Sequence, residues 1–338
     1  MRGMLGTFVR VLAVYVLLGW IVVAIQFPYR SEVTVARSIP LQAGDYYARI
    51  YRPASRDSYV SVARESISAL GIVPIVQRFV HQYGLEHARV LDVGAGTGYL
   101  QDVVEDYVGL DISPEAARFY HKPFIQASAT EMPVPDNSFD ALWSIFVLEH
   151  VPNPEQALLE MRRAVRNGGL LYLAPAWDCQ PWYADGYPVR PFSDLNWKGK
   201  ALKAGIPVLE YAPFKMFTVV STRLALRAGH WSGGPSRLRY RPLQPNYATY
   251  WMPDSDAINS LDRDEMRIWF TSRGDQCLNC DGSLWSMSEL VIRVYKAGPQ
   301  VNPASIAWPP LAGAPPDQWQ PGPPRRPPPP PLLSRLPN

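Results

Sequence analysis

The chain has 338 residues, of which 47% are hydrophobic and 19% are charged, proportions ordinary for one large globular domain or two modest ones. Its 33 basic and 30 acidic residues leave a net charge of +3, which is too small to indicate a nucleic-acid-binding protein. Proline is abundant, but the excess is concentrated after Pro299, so it belongs to a C-terminal segment and not to the fold.

The first predicted element is an apolar helix at the N-terminus. Val11 to Phe27 contains no charged residue and lies between Arg10 and Arg30. This run is at the lower length limit for a transmembrane helix, and it lacks the small-residue cleavage site of a secretory signal. We therefore predict a single-pass membrane anchor over residues 1–30, with a signal peptide or a buried or interfacial helix as alternatives. The flanking charges slightly favour a cytoplasmic N-terminus.

The central motif is a strand that runs directly into a glycine-rich loop, after a helix predicted around Ser61 to Tyr83. Residues 89–93 (RVLDV) are apolar and β-branched, which is typical of a buried parallel strand. Glycines then occupy every second position over 94–98, where they let the backbone turn sharply and a ligand approach the main chain. A helical stretch is predicted next, over Gln101 to Asp106.

A second apolar run ends in an acidic residue. Residues 107–110 (YVGL) precede Asp111, and a carboxylate at the tip of the second strand is placed to accept hydrogen bonds from ribose hydroxyls. A dinucleotide-binding loop would need glycine at position 99. Tyr99 stands there, which disfavours a nicotinamide oxidoreductase.

Five motifs occur in order between Val90 and Ala176. They are VLDVGAGTG (90–98), VGLDISP (108–114), MPVPDNSFD (132–140), VLEHVP (147–152) and NGGLLYL (167–173). Together they resemble the class I S-adenosylmethionine-dependent methyltransferases, in particular the type 11 group. The resemblance implies an α/β fold, with a Rossmann-like seven-stranded sheet in an α/β/α sandwich.

The resemblance also implies S-adenosylmethionine as the cofactor. The residues it assigns to that cofactor are Asp92, Gly94, Gly96, Gly98, Asp111, Ile112 and Ser128. The three glycines would pass close to the methionine part, and Asp92 would face its amino group. Asp111 would accept the ribose hydroxyls, and Ile112 would pack on the adenine. Ser128 stands where the family often has an acid for the adenine amino group, and a hydroxyl can accept one hydrogen bond there.

The candidate for proton transfer follows the fourth predicted strand. Methyl transfer needs a general base only when the acceptor holds its proton tightly. Glu149 and His150 lie where the methyl group is expected to emerge, and imidazole titrates near neutral pH. His150 is therefore the candidate catalytic base; the alternative is a structural pair that caps the strand-to-helix turn.

An insertion over residues 177–256 is the candidate substrate lid. Its first aromatic residues, Trp177, Trp182 and Tyr183, are typical of a substrate pocket, although a lid packed on the core would also contain them. A basic cluster follows, formed by Lys198, Lys200, Lys203, Arg227, His230, Arg237, Arg239 and Arg241. Beside a membrane anchor, these residues would suit anionic head groups or a lipid-linked phosphate; a solvated charged face is the alternative.

The C-terminal part is predicted to complete the sheet. Residues 264–274 indicate a helix stopped by glycine, and residues 288–295 alternate like a strand. Cys277 and Cys280 lack the further ligands of a structural zinc site, so we predict no metal and interpret the pair as two reduced cysteines, with a redox pair as the alternative. The Pro-rich segment over 299–338 is predicted to be disordered, as a bland tail or a ligand for a protein partner.

The predicted organisation is thus an anchor (1–30), a methyltransferase domain (31–298) and a tail (299–338). The predicted activity is methyl transfer to a small or lipid-linked acceptor, in envelope or glycan metabolism. A non-catalytic, cofactor-binding membrane scaffold is the alternative. Because the resemblance implies a cofactor made in the cytosol, we expect a cytoplasmic catalytic domain on a membrane-bound chain, with no nucleic-acid partner.

Overall fold

A computed structural model of the chain describes residues 2–26, 67–184, 186–229, 235–243, 245 and 254–296. The helices are α1 (Arg2–Gln26), α2 (Ile72–Tyr83), α3 (Pro154–Ala164), α4 (Pro181–Ala184), α5 (Trp197–Leu209), α6 (Ala212–Gly229) and α7 (Arg263–Thr271). The strands are β1 (Arg89–Val93), β2 (Asp106–Asp111), β3 (Phe124–Gln126), β4 (Phe139–Ile145), β5 (Val165–Ala174), β6 (Arg241–Pro242), β7 (Asn259–Ser260), β8 (Gln276–Cys277) and β9 (Leu290–Arg293).

Seven strands form one sheet in the order β3-β2-β1-β4-β5-β9-β8. Strands β1 to β5 pair in parallel, and β9 runs antiparallel to both β5 and β8. The predicted seven-stranded, Rossmann-like α/β fold is therefore confirmed. The chain order reverses between β1 and β4, and in such sheets ligands bind at the carboxyl edge of this switch point.

Strand β1 shows why the sheet is a middle layer. Val90 packs with Val76 and its neighbours on α2, whereas Leu91 packs on the opposite face with Met161 and other residues of α3. Val90 and Leu91 are both fully buried. A strand covered on both faces needs a nearly continuous apolar sequence, and each such side chain contributes about 1.5–3 kcal/mol of burial free energy.

Helix α2 covers only the second half of the helix predicted around residues 61–83, because a turn at Leu70 and Gly71 separates it from the helical residues 67–69. It begins after Gly71 and ends before Gly84, and both glycines have left-handed φ values, of 61° and 64°. Left-handed glycines are common where helices end. Residues 61–66 of the prediction lie outside the described residues.

The helix predicted over Gln101 to Asp106 is wrong. Residues 97–104 form turns, and Asp106 already belongs to β2. The register pairs Asp106 with Arg89 at the start of β1, so residues 94–105 return the chain along the whole strand, and they do so through the glycine loop and a series of turns. Gln101 bridges the turn to the next segment, by donating to the Phe119 carbonyl at 3.2 Å and accepting from the His121 amide at 3.1 Å.

The predicted membrane anchor is also wrong, and with it the single-pass localisation. Within the described ranges, every helix falls short of the length and apolar character that crossing a membrane requires. Helix α1 includes Arg2 and Arg10 and ends at Gln26, and it packs against α6. The ring of Tyr15 meets those of Phe214 and Phe217 edge-on, at centroid distances of 5.8 and 6.2 Å. Part of the apolar run thus serves as a helix-packing face.

The C-terminal elements follow the prediction closely. Helix α7 and strand β9 lie within or next to the predicted ranges, and the Asp262 carboxylate caps α7 by accepting from the Asp264 and Glu265 amides. The interpretation of two reduced cysteines is wrong, because Cys277 and Cys280 form a disulfide beside β8. The Pro-rich segment, 299–338, lies outside the described residues.

Candidate cofactor and acceptor site

The glycine-rich loop and the tip of β2 are joined by hydrogen bonds. The amides of Gly94 and Ala95 donate to the Leu110 carbonyl at 2.7 and 3.0 Å. The Gly96 amide donates to Asp111 Oδ2 at 2.9 Å, and the Ser113 amide donates to Asp111 Oδ1 at 2.8 Å. Each oxygen of the Asp111 carboxylate keeps further acceptor capacity. The loop and this acid therefore form one unit at the carboxyl edge of β1 and β2.

The loop has a conformation that requires glycine. The φ values of Gly94, Gly96 and Gly98 are 76°, 52° and 72°, in the left-handed region that side chains rarely adopt. A Cβ atom on Gly94 would lie 2.2 Å from Cγ2 of Val147, and one on Gly98 would lie 2.9 Å from Nε2 of Gln101. The backbone angles, and at Gly94 and Gly98 also the side chains packed against the loop, therefore require glycine here.

Two buried acids stand at this edge of the sheet. Burial raises the pKa of Asp92 to about 7, although Tyr107 donates its hydroxyl to Asp92 Oδ2 at 2.8 Å. Burial also raises the pKa of Asp111, against the opposing effect of hydrogen bonds from Ser113 and Gly96. The proximity of the two carboxylates adds to the rise at Asp92. A cationic group bound here would stabilise their ionised forms.

Ile112 directly follows β2, and Ser128 lies two residues after the end of β3. Ile112 follows Asp111 and is 45% exposed, which leaves its side chain available to a planar ligand. The Ser128 hydroxyl lies 2.8 Å from that of Thr130 and accepts from the Thr130 amide at 3.2 Å. Ser128 therefore already takes part in a local turn.

Glu149 and His150 form a short helical turn after β4 that connects three segments. Glu149 is fully buried, and its Oε1 accepts from the Ala176 amide at 3.0 Å. Its carbonyl accepts from the Ile258 amide at 2.9 Å. His150 places Nε2 3.9 Å from Glu149 Oε1 and Nδ1 3.7 Å from Asp256 Oδ2. The turn thus holds the end of β4 against both ends of the insertion.

Burial and the neighbouring charges shift the pKa values of both side chains of this turn. Burial raises the pKa of Glu149 to about 7, with His150 opposing the rise. Burial alone would lower the pKa of His150, but the carboxylates of Asp256 and Glu149 together raise it above its ordinary value. The two carboxylates therefore favour the protonated imidazole.

Sequence patterns did not reveal two residues of this region. Asp256 faces His150 from the distant end of the insertion, and no local pattern connects the two positions. Phe146 follows β4 with a φ of 56° and is 38% exposed. A left-handed phenylalanine is a strained conformation that tends to occur at functional sites.

The three predicted substrate residues do not stay together. Trp182 Nε1 and the Tyr183 hydroxyl both donate to Glu210 Oε1, at 3.1 and 2.6 Å. Trp177 instead donates to the Ser288 carbonyl at 3.1 Å and packs on the main core beside the disulfide. Trp182 and Tyr183 therefore share one acceptor, the Glu210 side chain of the insertion, whereas Trp177 lies against the C-terminal strands.

Much of the predicted basic cluster is engaged within the chain. Arg227 pairs with Asp264 at 2.6 Å, and Arg239 lies 3.4 Å from Glu265. Lys203 donates to three main-chain carbonyls of the insertion, including that of Tyr187 at 2.8 Å. Each of these three cations therefore has partners within the chain, so its position does not require an anionic ligand. His230 lies outside the described residues.

Comparisons with known proteins converge on one domain. The family described as a methyltransferase domain matches residues 91–173. An uncharacterized methyltransferase of Mycobacterium tuberculosis is 29% identical over 162 residues, which cover 43% of this chain and 59% of the relative. The ubiquinone/menaquinone biosynthesis C-methyltransferase UbiE of Hahella chejuensis is 31% identical over 175 residues, which cover 43% of this chain and 70% of the relative.

Among solved structures, the sugar N-methyltransferase KedS8 from Streptoalloteichus is 25% identical, with a TM-score of 0.29. The match covers 31% of this chain and 48% of that one. The chain spans 59% of the length of the mycobacterial relatives it matches.

Proposed function

Because the chain belongs to the S-adenosylmethionine-dependent methyltransferases, we propose that it transfers a methyl group from S-adenosylmethionine to a small-molecule acceptor at the carboxyl edge of β4 and β5. The observation that supports this most directly is the bond from the Gly96 amide to Asp111, which unites the glycine loop with the ribose-binding position. When bound, this cofactor supplies an electrophilic methyl group on a positively charged sulfur.

The proposed cofactor contacts follow the chemistry of each side chain. Asp92 accepts from the amino group of the methionine part, where its buried carboxylate gains a cationic partner. Asp111 uses its remaining acceptor capacity for ribose hydroxyls. Ile112 packs on the adenine, and Ser128 accepts from the adenine amino group.

The proposed chemical step depends on positioning, because methyl transfer is an in-line displacement. Where the acceptor holds its proton tightly, His150 in its neutral form takes that proton, and Asp256 stabilises the imidazolium that results. The alternative is that the Glu149–His150 pair forms a structural turn after β4, and the pH dependence of turnover distinguishes the two roles. The acceptor atom is oxygen, nitrogen or carbon.

The wider biological assignment is also a proposal. The insertion, 177–256, serves as the acceptor lid of a methyltransferase domain over 31–298. A lipid-linked acceptor, as in envelope or glycan metabolism, is supported by the exposed apolar side chains of Trp197 (75%) and Val208 (63%) on α5. The alternative, a non-catalytic, cofactor-binding scaffold, is disfavoured because the relatives that the chain matches are named methyltransferases.

Isothermal titration of the full chain tests the proposal. S-adenosylmethionine and S-adenosylhomocysteine should bind with similar affinity, and NAD should not bind. Transfer of a labelled methyl group to members of an acceptor panel then tests catalysis. A chain that binds NAD, or that binds neither sulfur compound, would contradict the proposed function.

A further inference from the structure

The residues that lead into β3 lie against the glycine-rich loop. Gln101, just after the loop, donates to the Phe119 carbonyl at 3.2 Å and accepts from the His121 amide at 3.1 Å. Tyr120, between these two residues, donates its hydroxyl to the Gly96 carbonyl at 3.2 Å. The segment before β3 is therefore fastened to the loop and its flank at three successive residues.

The ring of Tyr120 occupies space that two glycines leave open. A Cβ atom on Gly109, inside β2, would lie 2.4 Å from Cε1 of this ring, and one on Gly98 would lie 3.0 Å from the same atom. Glycine inside a strand is unfavourable, because it loses more conformational freedom on folding than other residues do. It often marks a point where another group approaches the backbone closely. Gly109 therefore makes room for Tyr120.

Aromatic neighbours fix the direction of this ring. Tyr120 stacks on Tyr107, with 6.4 Å between the ring centroids and 21° between the ring planes, and its ring centroid lies 4.8 Å from that of Phe124. Tyr107 in turn donates its hydroxyl to Asp92 Oδ2 at 2.8 Å. Side chains packed in this way keep one rotamer, so the Tyr120 hydroxyl is presented to the loop at a fixed point.

Gly96 is held at both of its backbone groups. Its amide donates to Asp111 Oδ2 at 2.9 Å, and its carbonyl accepts from Tyr120 at 3.2 Å. The φ of Gly96 is 52°, and Gly94 and Gly98 are also left-handed. Because glycine has more accessible conformations than other residues, ordering such a loop when a ligand binds carries an entropic cost. The two hydrogen bonds order the loop before the ligand arrives.

We propose that Tyr120 is a positioning residue for the cofactor, whose hydroxyl fixes the Gly96 carbonyl in the orientation that the methionine part of S-adenosylmethionine requires. This inference rests on the proposed methyltransferase function, under which the loop glycines pass close to that part. Asp111 holds the amide side of Gly96 and accepts the ribose hydroxyls, whereas Tyr120 holds the carbonyl side. Loss of the Tyr120 hydroxyl therefore weakens binding of the methionine part and spares binding of the adenosine.

Two ligands separate these parts of the cofactor. S-adenosylhomocysteine contains both, and 5′-methylthioadenosine lacks the amino and carboxyl groups. Tyr120→Phe keeps the ring and removes the hydroxyl. Calorimetry on the full chain should show the Kd for S-adenosylhomocysteine rising about three- to tenfold, the scale of one hydrogen bond, and the Kd for 5′-methylthioadenosine changing by less than about twofold. Equal changes for both ligands, or no change for either, would overturn the proposal.

A second buried tyrosine provides the control. Tyr172 lies in β5 and packs on Phe79 of α2, with 5.0 Å between the ring centroids. Tyr172→Phe should leave the ratio of the two Kd values as it is in the unaltered chain. If both tyrosine variants change this ratio equally, the effect of Tyr120→Phe is a general loss of stability and the proposed role is wrong.

Hydrogen exchange of the cofactor-free chain separates this proposal from the function on which it rests. The Gly96 and Gly98 amides donate to Asp111 and to the Ala95 carbonyl, both at 2.9 Å, so their exchange requires the loop to open. Tyr120→Phe should speed exchange in a peptide that covers the loop about three- to tenfold and leave exchange in β5 unchanged.

The two proposals can then fail independently. Faster loop exchange in Tyr120→Phe, in a chain that binds neither S-adenosylmethionine nor S-adenosylhomocysteine, would contradict the methyltransferase function and support the hold of Tyr120 on the loop. Unchanged loop exchange, in a chain that binds both compounds, would contradict the role of Tyr120 alone.

Discussion

Asp256 Oδ2 lies 3.7 Å from Nδ1 of His150, so the end of the insertion supplies the acid that faces the candidate base. Glu149 approaches the other ring nitrogen at 3.9 Å. Both carboxylates raise the pKa of His150 against the effect of burial. The insertion therefore influences the protonation of a residue after β4, in addition to covering the site.

A pH profile separates a catalytic from a structural role of His150. Only the neutral imidazole accepts a proton, so kcat/KM should fall as the pH drops below the raised pKa. Asp256→Asn removes a charge that raises this pKa, and the acidic limb of the profile should move to lower pH. His150→Gln should reduce turnover by about 100-fold or more, with cofactor affinity retained.

A second histidine provides the control for this experiment. His121 and Asp102 form a similar pair at 2.8 Å, but both side chains are exposed. His121→Gln should leave both turnover and the pH profile unchanged. If Asp256→Asn lowers stability but does not move the acidic limb, the pair is structural and His150 is not the base.

Two glycines with the same backbone angle separate strain from crowding in the cofactor loop. Gly94 and Gly168 both have a φ of 76°, but an added Cβ would lie 2.2 Å from Val147 at Gly94 and meets nothing within 4 Å at Gly168. Gly94→Ala should lower the free energy of unfolding by about 1–3 kcal/mol more than Gly168→Ala, because overpacking adds to the strain. Urea denaturation measures both.

The crowding at Gly94 has a specific partner, which allows a rescue. Adding Val147→Ala to Gly94→Ala should recover part of the difference, since it removes the two γ carbons that the new Cβ would meet. Strictly additive effects of the two substitutions would show that Val147 is not the cause.

Asp92 should make the stability of the cofactor-free chain depend on pH. Its folded-state pKa of about 7 lies above the ordinary value of 3.8, so the folded chain binds the proton more tightly than the unfolded chain. The stabilisation is fully present below about pH 4 and is lost as the pH rises to about 7, by about 1–4 kcal/mol. Asp92→Asn should flatten this part of the curve of unfolding free energy against pH.

The exposed Glu131 provides the control, because Glu131→Gln should leave the curve unchanged. Glu149 contributes in the same direction, since burial raises its pKa to about 7 as well. The curve of unfolding free energy against pH for Asp92→Asn should therefore retain part of the slope that the unaltered chain shows. A curve identical to that of the unaltered chain would contradict the burial of an ionisable Asp92.

The features that sequence predicted correctly are local ones. One strand-turn-strand unit contains the apolar run of β1, the glycines after it and Asp111 at the end of the next strand. Within so short a unit, the spacing of residues along the sequence determines the local structure. The helix predicted from Gln101 to Asp106 is absent because the return of the chain to Asp106 depends on strand register, which pairs Asp106 with Arg89. The contact between His150 and Asp256 depends on the path of the whole insertion.

The N-terminal helix shows a second limit. An uncharged run indicates a surface that avoids water, but it does not indicate what covers that surface. In the structure Tyr15 packs on Phe214 and Phe217 of α6, residues that no pattern within the run identifies. The packing partner of a helix is tertiary information, which the length and apolar character of the run do not contain.

Asp111 offers the sharpest test of the cofactor site, because its role is tied to particular ligand atoms. Asp111→Asn removes the charge and one strong acceptor, and it should raise the Kd for S-adenosylmethionine about 10- to 100-fold. Asp102→Asn, at an exposed acid, should leave the Kd unchanged.

If Asp111 accepts the ribose hydroxyls, the unaltered chain should bind adenosine more tightly than 2′,3′-dideoxyadenosine, whereas Asp111→Asn should bind the two nearly equally. Calorimetry measures the affinity of each of the two proteins for each of the two nucleosides. The four affinities form a thermodynamic cycle, whose coupling energy reports the interaction between Asp111 and the ribose hydroxyls. A full loss of discrimination supports the assignment. Discrimination that survives in Asp111→Asn would mean that another group holds the ribose and that Asp111 only supports the loop through the Gly96 amide.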